Sequence, residues 1–190
     1  MPTLYLATEP AADELLASDP LALLIGMLLD QQIPLERAFS SPYDLTQRLG
    51  HGLDARELAD FDTEALIEIF AQRPALHRFP RAMALRVQEL CRLVVDRYDG
   101  DAARVWTEAK TGTELIKRIG ELPGFGKQKA QIMAALLGKQ FAVRPKGWRE
   151  AAGEFGVQGS HKSVADIVDE KSLLKVRAYK QQLKAAAKAG

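Results

Sequence analysis

The segment DPLALLIGMLLDQQ, from Asp19 to Gln32, restricts the possible folds more than any other stretch of the chain. Asp19 is a good helix N-cap and Pro20 suits the first helical position. From Leu21 to Leu29 no side chain is polar. A helix that is apolar all round has no face to show to water, so it must sit at the centre of the fold with other helices around it. It is also far shorter than the ~18–20 residues a membrane span needs. Pro34 disfavours helix at Ile33, so the chain bends just after Asp30, Gln31 and Gln32.

The remaining pattern supplies those other helices. AADELLAS has the apolar spacing of a short amphipathic helix. PLERAFSS and PYDLTQRLG read as two further short helices, split by Pro42. DTEALIEIFAQ opens on an acidic N-cap at Asp62. PRAMALRVQELCRLVVDRYDG carries Ala84, Val87, Leu90, Cys91, Val94 and Val95 at helical spacing and stops at Gly100. TGTELIKRIGEL, KQKAQIMAALLG, a segment near Trp148–Phe155 and one from about Ser163 to Lys188 complete the set. LYLA and QFAV are apolar but too short and isolated to pair as strands. No fixed-period repeat and no low-complexity linker interrupts the pattern. The expectation is an all-α globule of ten or more helices, with enough chain for one core or two small lobes.

Charge is divided along the chain. Residues 1–109 hold 10 Arg, no Lys and 18 Asp or Glu; residues 110–190 hold 16 Lys or Arg and 7 Asp or Glu. The near-neutral total of +1 thus hides an acidic first part and a basic second part, an arrangement suited to meeting a polyanion with one face. The single cysteine, Cys91, excludes an intramolecular disulfide and a four-cysteine iron–sulfur cluster. The start MPTLYLATEPAADE lacks the basic and apolar regions of a signal peptide, and a cytoplasmic location follows as the default.

The turn LPGFG joins two helical segments. Pro123 cannot continue the first helix. Gly124 and Gly126 permit positive φ and close backbone approach, while Leu122 and Phe125 can tuck inward. A helix then starts at Lys127, presenting free N–H groups beside Lys127 and Lys129. Such a turn either holds a phosphate, without reading base sequence, or is an ordinary helix–turn–helix corner.

With that turn in place, the chain resembles the helix–hairpin–helix–GPD superfamily of base-excision DNA glycosylases, which includes endonuclease III. Their hairpin pattern Leu-Pro-Gly-x-Gly-x-x-x-Ala is matched by Leu122, Pro123, Gly124, Phe125, Gly126 and Ala130. MLLDQQ resembles their apolar helix ending in a glutamine that fills the gap left by a flipped base. The likeness covers roughly residues 19–148. It implies a two-lobed fold in one module: a six-helix barrel lobe over 19–139, with the hairpin at 113–137, and a second helical lobe from 1–18 plus 140–190. It further implies a monomer that binds damaged double-stranded DNA and no membrane, with Gln31 and Gln32 near the extruded base. With one cysteine and no histidine ligand spacing, no metal or other cofactor is expected; the resemblance adds only a monovalent cation that related hairpins hold on backbone carbonyls.

The catalytic pair of the superfamily is missing. Without gaps, Gln128 occupies the lysine position, and Arg144, eighteen residues past Gly126, occupies the aspartate position. Arginine stays protonated, cannot act as a base, and would repel a developing sugar cation. Its natural uses are a contact to phosphate or stacking on a base. Three readings follow. Another acid has taken the role, with Asp30 first and Glu36 and Glu121 behind it. Or a displaced lysine, among Lys127, Lys129 and Lys146, acts as nucleophile, with Lys146 favoured by its closeness to Arg144. Or the protein binds DNA lesions without chemistry. The expectation is a monofunctional glycosylase, with the non-catalytic binder as alternative. His51, His77 and His161 lack metal-ligand spacing. The basic segment KSLLKVRAYKQQLKAAAK either tracks phosphates or packs through Leu173, Leu174, Val176, Tyr179 and Leu183.

Overall fold

The computed structural model describes all residues, 1–190. It is all-α, with one isolated bridge between Thr111 and Lys146 and no strand. Eleven α-helices follow in order: α1 Pro10–Ser18, α2 Pro20–Leu29, α3 Leu35–Leu49, α4 Ala55–Asp60, α5 Thr63–Ala71, α6 Pro80–Tyr98, α7 Arg104–Thr107, α8 Gly112–Gly120, α9 Lys127–Gln140, α10 Trp148–Ala151 and α11 Glu170–Ala189. Short 3-10 turns at Gly153–Gly156 and Val164–Asp166 link α10 to α11.

As expected, α2 is central. Every residue from Leu21 to Leu29 is buried, and Asp19 caps the helix by accepting from the N–H groups of Leu21 at 2.9 Å and Ala22 at 3.2 Å. α1 and α3 pack on α2, and α6 packs on α2, α4 and α5. α8 and α9 pack against each other, and α10 and both 3-10 turns lie against this pair. One contiguous core runs through all of these, from Leu4 to Val176.

Three sequence expectations are corrected. The two short helices over 35–50 are one, α3, with Pro42 inside it. Proline only removes the bond from its own nitrogen, and burial of Ala38, Phe39 and Leu45 on the core side outweighs that loss. α6 stops two residues early, at Tyr98, because Asp99 and Gly100 both take the left-handed conformation, at φ 54° and 82°. The single helix expected over Ser163–Lys188 is a 3-10 turn and a later helix, each opened by a capping box, at Ser163 and at Asp169.

α6 carries a buried polar anchor that the periodicity did not single out. Gln88 donates to the carbonyls of Leu58 at 3.1 Å and Phe61 at 2.8 Å, and accepts from the Thr63 hydroxyl at 2.8 Å. It thereby satisfies the backbone where α4 turns into α5. α11 docks only by its first turns: Leu173 and Val176 are buried, whereas Leu174 and Leu183 are exposed.

Gly26, in the middle of α2, lies against the Phe39 ring; a Cβ there would sit 2.8 Å from Phe39 Cδ1. Alanine is the better helix former, but here overpacking dominates. Gly26→Ala is expected to cost about 1–3 kcal/mol. Thermal unfolding should register this at about 2–4 °C per kcal/mol for this chain length.

Candidate functional site

The site forms where α2 ends. A helix leaves its last carbonyls without intrahelical partners, and here side chains from distant segments claim them. Lys129 of α9 places Nζ 3.4 Å from the Leu28 carbonyl and 3.2 Å from that of Asp30. His77 places Nε2 3.1 Å from the Leu29 carbonyl and 2.9 Å from that of Gln31. The Phe79 N–H donates to Nδ1 of the same ring at 3.0 Å, so Nε2 carries the proton. Burial lowers the His77 pKa, which keeps the ring neutral in this role. Gln31 folds back on the Leu28 carbonyl at 2.9 Å and accepts from Arg86 at 3.3 Å.

These bonds hold a bend with two exceptional residues. Gln32 is exposed and has φ 58°, a conformation non-glycine residues adopt rarely and at some cost. Asp30 caps α2, and no hydrogen bond reaches its carboxylate. Loss of hydration raises its pKa above the ordinary aspartate value, against the opposing pull of Lys180 and Lys129. Lys129 shows the converse: desolvation lowers its pKa, Asp30 counteracts, and Arg86 adds to the lowering. No fully enclosed side-chain oxygen or nitrogen in the molecule lacks a partner, so the Asp30 oxygens keep contact with solvent.

The LPGFG turn lies directly on this bend. Leu122 and Phe125 are buried as expected. Gly124 has φ 81°, and a Cβ there would overlap Leu28 Cδ1 of α2, at 2.2 Å. Gly126 departs from expectation, with an ordinary φ of −75° and open space around it. No side chain caps α9, so its first amides remain open beside the bare Gly126 and the exposed Lys127.

The structure thus brings together Asp30, Gln31, Gln32, Leu122, Gly124, Phe125, Gly126, Lys127 and Lys129. Lys129 is not the free phosphate contact expected of it, because its ammonium is committed to two carbonyls. Arg144 and Lys146 are not part of the cluster. Val143 N–H turns back onto the Leu137 carbonyl, and Arg144 Nε donates to Gly138 O at 2.9 Å. Gly138 is ten residues past Gln128 on α9, about 15 Å along the axis. The exposed Lys146 accepts the Gly112 N–H at the start of α8, the end away from the turn. The gap-free spacing misplaced both because α10, rather than residues 141–146, runs back along α9: Trp148 packs on Gly138, and the Ala151 carbonyl accepts from Gln131.

Four residues escaped the sequence reading. His77 and Arg86 pin the bend, and Lys180 of α11 acts on Asp30. Phe79 stands 40% exposed beside His77, with the Arg78 guanidinium 5.3 Å from its ring centre. Only Phe79 left a signal, as an aromatic residue between arginines just before a helix-opening proline. Cys91 is buried and its thiol is pushed up to about 12, which removes it as a nucleophile. No protein-family model, curated protein or solved structure matches this chain.

The raised pKa of Asp30 has a consequence for stability. The folded chain binds this proton more readily than the unfolded chain. Stability contributed by this group therefore falls as pH rises through the raised pKa. Asp30→Asn removes the desolvated charge and is expected to raise Tm at neutral pH. The gain should vanish below the ordinary aspartate pKa, which melting curves across pH would check.

Proposed function

We propose that this protein is a DNA glycosylase of the helix–hairpin–helix type that uses Asp30 in place of the missing aspartate. The observation that carries the reading is the Asp30 carboxylate: desolvated, without a hydrogen-bond partner, and set between the exposed Gln32 and the phosphate-type turn at Gly124–Lys127. Groups whose pKa is displaced by burial beside a specific charge are characteristic of functional sites. In this reading the two-lobed arrangement straddles the bend. The α9 amides and Lys127 hold a backbone phosphate. Gln32, and Phe79 across the bend, fill the space left by an extruded nucleotide. The exposed half of α11 adds Lys180, Lys184 and Lys188 along the strand, with no acid after Glu170.

Asp30 faces the sugar. As the N-glycosidic bond breaks, its electron pair leaves with the base. The carboxylate stabilises the positive charge on the sugar and accepts the proton of the attacking water. Asp30 lines none of five surface cavities of about 340–760 Å³, and in this reading a base is admitted where neighbouring elements part. α11 is the least tied of them, held near the bend by the Arg177–Glu36 ion pair.

The decisive experiment is base release, by mass spectrometry, from duplexes carrying uracil, 8-oxoguanine, alkylated purines or thymine glycol, with protein in excess. Release that rises with pH through an apparent pKa above the ordinary aspartate value, and is lost in Asp30→Asn with binding retained, is the expected outcome. Full activity in that variant would remove Asp30 from the mechanism. Tight binding with no release would leave a lesion-binding protein on the same scaffold. DNA affinity should also fall steeply with salt, and Lys127→Ala should reduce that slope by about one. A flat salt response would overturn the DNA reading altogether.

A second reading has its own support in Lys129. Its lowered pKa favours the neutral amine; once its bonds to the Leu28 and Asp30 carbonyls are released, the amine can attack the sugar carbon, displace the base and form a Schiff base after ring opening. Borohydride reduction on abasic DNA should then trap a covalent adduct that Lys129→Gln abolishes. Base release without an adduct would leave Asp30 acting through water.

A further inference from the structure

Arg144 has no task in the Asp30 cluster, and its surroundings give it another. It borders a cavity of about 560 Å³ at the C-terminal end of α9. Five cationic side chains line that cavity: Lys139, Arg144 and Arg149 from the α9–α10 region, and Lys171 and Lys175 from the start of α11. Two carboxylates also line it, and both are committed within the fold. Asp166, whose side chain is 4% exposed, takes Lys139 Nζ at 2.5 Å, the Ser160 hydroxyl at 3.1 Å and the Lys162 N–H at 2.8 Å. Asp169 caps α11, accepting from Ser172 N–H at 2.7 Å and the Ser172 hydroxyl at 2.7 Å.

The other four cations, Arg144, Arg149, Lys171 and Lys175, form no ion pair, although the Asp169 carboxylate lies within electrostatic reach of both lysines and offsets part of their charge. The two guanidiniums are nevertheless held in place. Arg144 is fixed by its single bond to Gly138, and Arg149 by a 2.7 Å bond to Gly156 O and by stacking 4.5 Å over the Trp148 ring. Each keeps N–H donors with no protein acceptor. Like charges gathered around one cavity repel one another, and an oriented guanidinium offers a planar fork that matches phosphate oxygens. A solvated lysine face needs neither the anchoring nor the cavity.

We infer that this cavity binds a ligand bearing two or more phosphate charges. Arg144 and Arg149 are the forked donors, and Lys171 and Lys175, one turn apart on α11, supply the accompanying charge. Two sources share this chemistry: a free nucleoside diphosphate or triphosphate, and successive phosphates of a nucleic acid strand. The site is distinct from the Asp30 cluster, since Lys139 lies about 15 Å along α9 from Lys129. It stands whether or not Asp30 is catalytic.

The test is calorimetric titration of the full chain with inorganic pyrophosphate. Single-site binding is expected, weakened at least about tenfold in Arg144→Ala/Arg149→Ala and unchanged in Lys110→Ala, which lies outside the cavity. Arg144→Lys should lose part of the affinity, since it keeps the charge but not the fork. If the double arginine variant fails to fold, Lys171→Ala/Lys175→Ala, on exposed positions of α11, should show a comparable loss. No saturable binding, or equal affinity in the variants that fold, overturns the inference. Two further arms separate the sources. A nucleoside diphosphate binding at least about tenfold tighter than pyrophosphate assigns the site to a soluble nucleotide. A similar loss of duplex affinity in Arg144→Glu assigns it to the nucleic acid backbone. Because base release is read separately, failure here leaves the Asp30 reading untouched, and the reverse also holds.

Discussion

The end of α2 is the constraint on which the rest depends. Burying an entirely apolar helix at the centre is favourable, but its terminal carbonyls must then be satisfied inside the protein. Lys129, His77 and Gln31 supply the donors, from α9, from the loop before α6 and from the bend itself. These bonds draw the α8–α9 turn and the loop around Phe79 onto one spot. The same requirement leaves Asp30 desolvated and Gln32 in a left-handed conformation. The helix that stabilises the core thus creates a place where backbone strain and a desolvated, unpartnered carboxylate coincide.

That coincidence makes functional sense only as a pair. A desolvated carboxylate without hydrogen bonds opposes folding, and so does left-handed glutamine. Both persist because the surrounding bonds over-determine the bend. Lys129 compensates Asp30 in part, and each perturbs the other: the lysine pulls the aspartate down, while the aspartate pulls the lysine up. For both groups desolvation is the larger effect, so each moves toward its neutral form. An acid and a base displaced toward neutral pH in contact with solvent are suited to proton transfer or nucleophilic attack.

The positive charge of the second half of the chain is not spread evenly over a surface. It gathers at the two ends of α9. At one end lie Lys127, Lys129 and Lys180 beside the turn. At the other lie Arg144, Arg149, Lys171 and Lys175 around a cavity. α11 runs between them, which gives its otherwise exposed cationic face two neighbours. The acidic first half, by contrast, spends several of its arginines on its own carboxylates, as in the Arg37–Asp44 and Arg56–Asp99 pairs.

The amino-acid sequence by itself determined the all-helical class, the central place of α2, the bend at Pro34 and the turn at Gly124. Each follows from local chemistry: hydrophobic periodicity, N-capping, and the steric limits of proline and glycine. It also marked Asp30, Gln32 and Lys127, because they flank those features. Tertiary structure decided what joins them. Pro42 was absorbed into α3 because burial outweighed one lost hydrogen bond. His77 and Arg86 reached the bend from far along the chain, as no periodicity announces. Arg144 was carried away from the turn because residues 141–144 fold tightly against the end of α9, a path that counting from the hairpin does not reveal. Spacing fixes distance along a chain. Only packing converts it into distance in space.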